Sequence, residues 1–201
     1  NLLELGQKVI FVSRIGDDRW RAYEQKWKHR NLTKVFITEP GARTVVKERF
    51  MSAGAKVLKW NTPEADVRKP KTETRVLSAI QKYIAQCGVL IVSDYRHGLL
   101  SETLARRILA LAEKSGTRVF LDSQVSQQSG NHAWYRGADV FCVNEAEARS
   151  ILPDFQGARA AAALSALART LASEHIVIKL GARGSAALLV GKVVETPAHP
   201  V

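Results

Sequence analysis

Four short apolar runs constrain this chain more than anything else in it. They read "GVLIVSD" (88–94), "TRVFLDS" (117–123), "DVFCVNE" (139–145) and "HIVIKLG" (175–181). Each is rich in β-branched residues, and a segment of helical character leads into each, over about 71–86, 101–115, 125–137 and 157–173. A run that is apolar at successive positions suits a strand buried on both faces. Helix–strand alternation of this kind predicts a parallel sheet covered by helices on both faces. The expected fold class is therefore α/β, a mainly parallel sheet between helices.

The first third has a different texture. "KVIFVS" (8–13) ends at Gly16-Asp17-Asp18, and a polar, Trp-containing helix is expected over about 18–30. "KVFIT" (34–38), "ARTVVKERFMS" (42–52) and "AKVLKW" (55–60) are strand-like and are separated by Pro40-Gly41 and Ala53-Gly54. That spacing predicts an antiparallel ribbon with short turns. Alternation along its middle strand places Thr44, Val46, Glu48 and Phe50 on one face and Val45, Lys47, Arg49 and Met51 on the other. The expected division is a core of residues 1–32 and 62–201, with the ribbon over 33–61. The last stretch, "GSAALLVGKVVETPA", reads as a hairpin turning at Gly191-Lys192.

Composition narrows the function classes. No apolar run approaches the ~20 residues of a membrane helix, and no basic-then-apolar leader follows Asn1. Cys87 and Cys142 lie in or beside apolar runs, without metal-like spacing, so both are expected to be reduced core residues of a cytoplasmic protein. The net charge of +11 is uneven: residues 1–82 carry 18 Lys/Arg against 9 Asp/Glu, and residues 83–201 carry 12 against 10. A basic half suits nucleic acid, an anionic small molecule or a solvated surface. Neither a basic helix nor an aromatic stacking motif is recognisable, so no nucleic-acid partner and no membrane are expected.

The polar residues point further. The four expected strands end in Asp94, Asp122, Asn144 and Gly181, and ligands of open parallel sheets bind outside the carboxyl ends of the strands. Asn144-x-x-Glu147 has the spacing of a capping box, in which Asn caps a helix and Glu reaches back to its backbone. The same carboxylate can hold hydrated Mg²⁺ beside a phosphate, and spacing does not separate the two roles. "LGARGSAALL" (180–189) is either a plain hairpin turn or a place where backbone approaches a nucleotide. Neither a Gly-Lys-Ser/Thr phosphate loop nor Gly-x-Gly-x-x-Gly occurs. In "VSDYRHGLL" (92–100), Asp94 at the strand end is a better site candidate than His97 in the loop.

At these residues the chain resembles the ribokinase-like, or PfkB-type, carbohydrate kinases. The match runs in order through "NLLELGQKV", "GDD", a ribbon, "VLIVSDYRHG", "VFLDS", "VNEAEA", "IKLGARG" and "TPAH". Within that family it is most similar to bacterial D-glycero-D-manno-heptose-7-phosphate kinases of lipopolysaccharide core synthesis. Those have a Thr-Lys-x-Arg-like ribbon strand, a Ser-Asp-Tyr-x-x-Gly turn and Tyr-Arg-Gly-Ala before the Asn-x-x-Glu strand. Here stand Val46-Lys47-Glu48-Arg49, Ser93-Asp94-Tyr95-Arg96-His97-Gly98 and Tyr135-Arg136-Gly137-Ala138.

The resemblance implies a ribokinase-like, Rossmann-type three-layer sandwich whose small antiparallel β lid covers the sugar and often joins two copies. It implies ATP and Mg²⁺ as cofactors, with Asn144, Glu147, Lys179, Gly181 and Gly184 at the nucleotide and Glu147 at the metal. It implies Lys47, Arg49, Asp94 and Asp122 at the sugar or sugar phosphate. Asp122-Ser123-Gln124 departs from the Asp-Pro-Lys of the heptose kinases, and Trp20 replaces a frequent small residue. The family's Gly-Ala-Gly-Asp segment, which supplies an anion hole and the catalytic Asp, is expected beyond Val201. Residues 1–201 alone are therefore expected to be a poor kinase with some apolar sheet surface exposed. The expectation is transfer of the ATP γ-phosphoryl to a sugar hydroxyl, with a non-catalytic sugar- or nucleotide-binding protein of the same fold as the alternative.

Overall fold

The computed structural model describes residues 1–18, 21–52, 55–61, 70–124 and 130–199. They form two compact units, Asn1–Tyr83 with His97–Leu99, and Ile84–Arg96 with Leu100–Val201.

The first unit contains β1 (Val9–Gly16), α1 (Arg21–Glu24), β2 (Leu32–Glu39), β3 (Lys47–Ser52), β4 (Ala55–Asn61) and α2 (Pro70–Tyr83). β1 and β2 pair in parallel, from Val9 opposite Leu32 to Gly16 opposite Glu39. The run at 34–38, expected to open the ribbon, therefore belongs to this parallel pair. A β-branched run fits any pleated surface, and its partner is decided by what it buries. Here Ile37 is 3% exposed, and α2 packs on both strands with Val76 and Ile80 buried. The helix expected over 18–30 is a single turn, and Trp20 lies outside the described residues.

Among the described residues of the first unit, antiparallel pairing joins β3 to β4, from Lys47 opposite Asn61 to Ser52 opposite Ala55. Thr44, Val45 and Val46 precede the strand, and the register shifts between Phe50 and Met51. Such a bulge breaks strict alternation. Phe50 and Met51 are accordingly both exposed, rather than on opposite faces of unequal burial.

The approach to the ribbon is tied to the end of β1. An Asp18 carboxylate accepts from Thr44 N at 2.7 Å and from its hydroxyl at 3.0 Å, and Gly16 N donates to the same hydroxyl oxygen at 3.0 Å. A Cβ at Gly16 would meet the Ala42 carbonyl oxygen at 2.5 Å, so only glycine allows this approach. Beside it Arg14 pairs with Glu39 at 3.1 Å and donates to the His97 carbonyl at 3.1 Å.

The second unit is built on one six-stranded sheet. Its elements are β5 (Val89–Asp94), α3 (Glu102–Lys114), β6 (Arg118–Ser123), β7 (Val140–Asn144), α4 (Glu145–Ile151), α5 (Ala160–Leu171), β8 (His175–Lys179), β9 (Ser185–Leu189) and β10 (Lys192–Thr196). The order is β10-β9-β8-β7-β6-β5, with β5 to β8 parallel and β9 and β10 antiparallel. All four apolar runs form the parallel strands.

Register places Val92, Leu121, Phe141 and Ile176 on one face, all buried. Leu104 and Ile108 of α3 and Leu164, Leu167 and Leu171 of α5 complete that core. The other face carries Val89 and Ile91, 39% and 53% exposed. Of the segment expected to be helical over 125–137, residues 125–129 lie outside the described residues and His132–Tyr135 form a 3-10 turn. The β9–β10 hairpin turns at Val190-Gly191, with φ of 50° and 75°. That is one residue earlier than expected, and the pair of positive φ values is the kind of turn that matches strand twist.

Candidate active site

The carboxyl ends of β5, β6, β7 and β8 bring Asp94, Asp122, Asn144 and Lys179 to one edge of the second unit. Register fixes their spacing: Ser93 pairs with Asp122, Asp122 with Cys142, and Asn144 with Lys179.

Asn144 and Glu147 form the complete capping box. Asn144 Oδ1 accepts from Glu147 N at 2.9 Å, while Glu147 Oε2 accepts from Asn144 N at 2.7 Å. A third bond, from Asn144 Nδ2 to Glu147 Oε1 at 2.7 Å, engages the other carboxylate oxygen. Glu147 is 2% exposed. Burial, the largest influence, raises its pKa above the usual glutamate value, against the lowering effects of the Asn144 backbone N–H and the Lys179 charge. The ordinary capping role is thus realised in full. With both oxygens engaged, the pair as arranged does not fit direct coordination of a metal ion. Among the described residues no cluster of three or more His, Cys, Asp or Glu could hold one.

Lys179 and Asp122 face each other at 3.1 Å, with side chains 45% and 50% exposed. An exposed pair of this kind is weak, about 0–1 kcal/mol, so the ammonium is available to a stronger anion. Cys142, opposite Asp122 in the register, is half-buried, and its pKa is raised chiefly by burial.

Asp94 is the most enclosed of the four strand ends, at 5% exposure. Its Oδ2 accepts from Asn131 Nδ2 at 2.6 Å and from the Tyr135 hydroxyl at 2.9 Å, and its Oδ1 from Arg96 N at 2.8 Å. Ser123 donates to Asn131 Oδ1 at 2.6 Å, and His132 Nε2 contacts the Ser123 carbonyl at 3.1 Å. Burial, then the Asp94 charge, raises the Tyr135 pKa far above the usual phenol value. Burial likewise lowers that of His132. Asp94 thereby holds Arg96 in the left-handed region at φ 61°, with the Arg96 guanidinium 5.0 Å from the Trp134 ring. Sequence reasoning missed Asn131, Tyr135 and Arg96 as partners. The Tyr-Arg-Gly-Ala stretch was a signal, but its link to Asp94 spans 41 residues.

The glycines of the β8–β9 turn differ from each other. Gly181 (φ 60°) has open space where a Cβ would stand, whereas one at Gly184 (φ 89°) would overlap the Thr196 carbonyl oxygen. Gly184 is therefore required by the packing of its own hairpin, and Gly181 is the one that faces space. Lys47 and Arg49 stand on β3 of the first unit, with the Arg49 side chain exposed.

Comparisons with known proteins agree on the family. All of residues 1–201 match pfkB family carbohydrate kinases. Bifunctional protein HldE of Rhodopseudomonas palustris strain BisA53 is 28% identical, over the whole of this chain and 42% of its own length. The protein of the same name from strain BisB18 is 30% identical with the same coverage. The chain thus spans less than half the length of these curated relatives. Among solved structures, Escherichia coli phosphofructokinase-2 in complex with fructose-6-phosphate has a TM-score of 0.75 at 14% identity, over all of this chain and 66% of that one. Ribokinase from Giardia lamblia has a TM-score of 0.70 at 13% identity, over 94% of this chain and 58% of that one. The fold is ribokinase-like, and the chain belongs to the pfkB family of carbohydrate kinases.

Proposed function

We propose that the protein phosphorylates a sugar or sugar phosphate, transferring the γ-phosphoryl of ATP directly to a hydroxyl. The observation that carries this reading is the family match over every residue from 1 to 201. The preferred acceptor is heptose 7-phosphate, supported by the Ser-Asp-Tyr-x-x-Gly and Tyr-Arg-Gly-Ala stretches and by the likeness to proteins called HldE. Phosphoryl transfer is catalysed by positioning and charge stabilisation, and roles follow from the chemistry of each residue and where it stands.

Lys179 meets the phosphates of ATP by exchanging its exposed partner Asp122 for a stronger anion. The Gly181 turn lies beside it and leaves room for the nucleotide. Asn144 and Glu147 hold the start of α4 in place, and Asp94 holds the 94–98 turn against the acceptor. Lys47 and Arg49 grip the sugar phosphate from the ribbon, where a basic first half has an anion to bind. The magnesium that accompanies ATP supplies charge neutralisation when bound; Glu147 is its expected neighbour through water. The protein acts in the cytoplasm, where its phosphorylated substrates are made.

The ribbon exposes Phe50, Met51, Val57, Leu58 and Trp60, each more than half exposed. A two-stranded ribbon has little stability alone, and a second copy pairing through these side chains would bury them.

Titration calorimetry tests the assignments. Lys179→Ala is expected to weaken ATP binding about tenfold or more and leave heptose 7-phosphate binding unchanged. The double change Lys47→Ala/Arg49→Ala is expected to do the reverse. Loss of neither affinity would remove these residues from the site.

A further inference from the structure

The first unit has a shallow, open pocket of about 430 Å³ lined by Trp27, Lys28, His29, Arg30, Leu32 and Lys34. It lies at the amino-terminal end of β2, which begins at Leu32, whereas ligands of parallel sheets bind at the carboxyl ends of the strands. Nothing in the proposed phosphoryl transfer uses it. We propose that this pocket is a second binding site, for a nucleoside polyphosphate.

Charge comes first. Residues 26–34 contain four Lys/Arg and no Asp or Glu. Lys28, His29 and Arg30 are exposed. His29 Nδ1 accepts from Asn31 N at 3.1 Å, so its ring proton sits on Nε2, where it can be donated outward. The nearest acidic residue in sequence, Glu24, contributes its backbone carbonyl to Lys34 Nζ. An arginine fork and two ammonium groups lining one open pocket suit several phosphate oxygens at once.

The aromatic component narrows the ligand. Trp27 is 55% exposed, yet its ring is supported by Phe11, with centroids 6.3 Å apart, and Phe11 by Phe36 at 5.7 Å. A propped, more than half-exposed indole beside a row of cations suits a planar base whose phosphates reach the cations. The volume is within the ~300–1,000 Å³ range of small-molecule sites. A long nucleic acid would be better served by several stacking side chains tracking a strand than by one.

Photolabelling with 8-azido-ATP tests this on the protein as produced. Cleavage after glutamate releases residues 25–48 as one peptide, because the Glu39–Pro40 bond resists cleavage, and tandem mass spectrometry places the label within it. That peptide is expected to carry label within residues 27–34, and excess ATP to prevent it. Tripolyphosphate and adenosine are each expected to compete at least tenfold less well than ATP. Trp27→Ala is expected to reduce labelling about tenfold, the equivalent of one stacked base. Trp27→Phe should largely retain it, and Lys28→Ala/Arg30→Ala should lose it while the circular dichroism spectrum stays unchanged.

An unlabelled peptide, or label that excess ATP does not displace, overturns the proposal. So does tripolyphosphate competing as well as ATP, which denotes a general anion surface, or a single-stranded oligonucleotide competing better, which denotes a nucleic-acid surface. Label in 27–34 with none near Lys179 leaves this site standing and contradicts the catalytic assignment instead. The two readings therefore fail separately.

Discussion

The Tyr135 hydroxyl donates to Asp94 Oδ2 at 2.9 Å, joining the end of β5 to the 3-10 turn before β7 across 41 residues of chain. Both groups are buried, Tyr135 completely. Tyr135→Phe keeps the ring and removes one of three donors to a buried carboxylate. A hydrogen bond to a charged group is worth about 1.5–3 kcal/mol, so a loss of that size is expected in urea denaturation. An unchanged midpoint would mean that Asp94 does not depend on Tyr135.

Glu147 gives a pH signature. Its native pKa lies above the value of 4.5 that it would have exposed, so the folded state holds this proton more tightly than the unfolded state does. Its contribution is therefore favourable in acid and is lost as pH rises through the raised native pKa. Glu147→Gln removes the titration. Melting temperatures of the two proteins from pH 4 to pH 7 should show wild type losing ground to the variant as pH rises. A constant difference would mean that Glu147 titrates normally.

Arg14 and Glu39 form a buried pair with side chains 8% and 2% exposed, and Glu39 Oε1 has no hydrogen-bond partner. Removing one member strands the other charge, which costs about 3–5 kcal/mol. Arg14→Met is therefore expected to be strongly destabilising and Arg14→Met/Glu39→Leu much less so. Equal loss in the single and double variants would show that the pair itself is what stabilises β1 and β2.

The two turn glycines should separate in the same assay. Gly181→Ala meets open space and carries only the backbone penalty of a positive φ, about 1 kcal/mol. Gly184→Ala must also displace the Thr196 carbonyl, so a larger loss is expected. If the two cost the same, the hairpin yields where the structure has it closed.

The parallel strands of the second unit were legible because their information is local: β-branched runs of six or seven residues, each closing on a polar residue or glycine. The capping box was legible for the same reason, since three-residue spacing on a helix start defines both partners. The run at 34–38 was recognised as a strand, but its partner was not. Pairing with β1 is decided by what Ile37 and Glu39 bury, and no local period carries that. The helix expected over 18–30 shrank to Arg21–Glu24 because mixed aromatic and basic residues do not define a buried stripe. The Asp94 cage was invisible as a unit, for it joins residues 94, 123, 131 and 135 through side chains whose neighbours are set only by the folded sheet.

The most direct measurement is mass spectrometry of the sugar after incubating the intact protein, as produced, with ATP, Mg²⁺ and heptose 7-phosphate. Heptose gaining one phosphate as ADP appears one for one is the expected result. Lys47→Ala/Arg49→Ala should lower transfer at limiting sugar at least tenfold. Tight binding of both ATP and the sugar phosphate, with neither consumed, would contradict the kinase reading and leave a binding protein of the same fold.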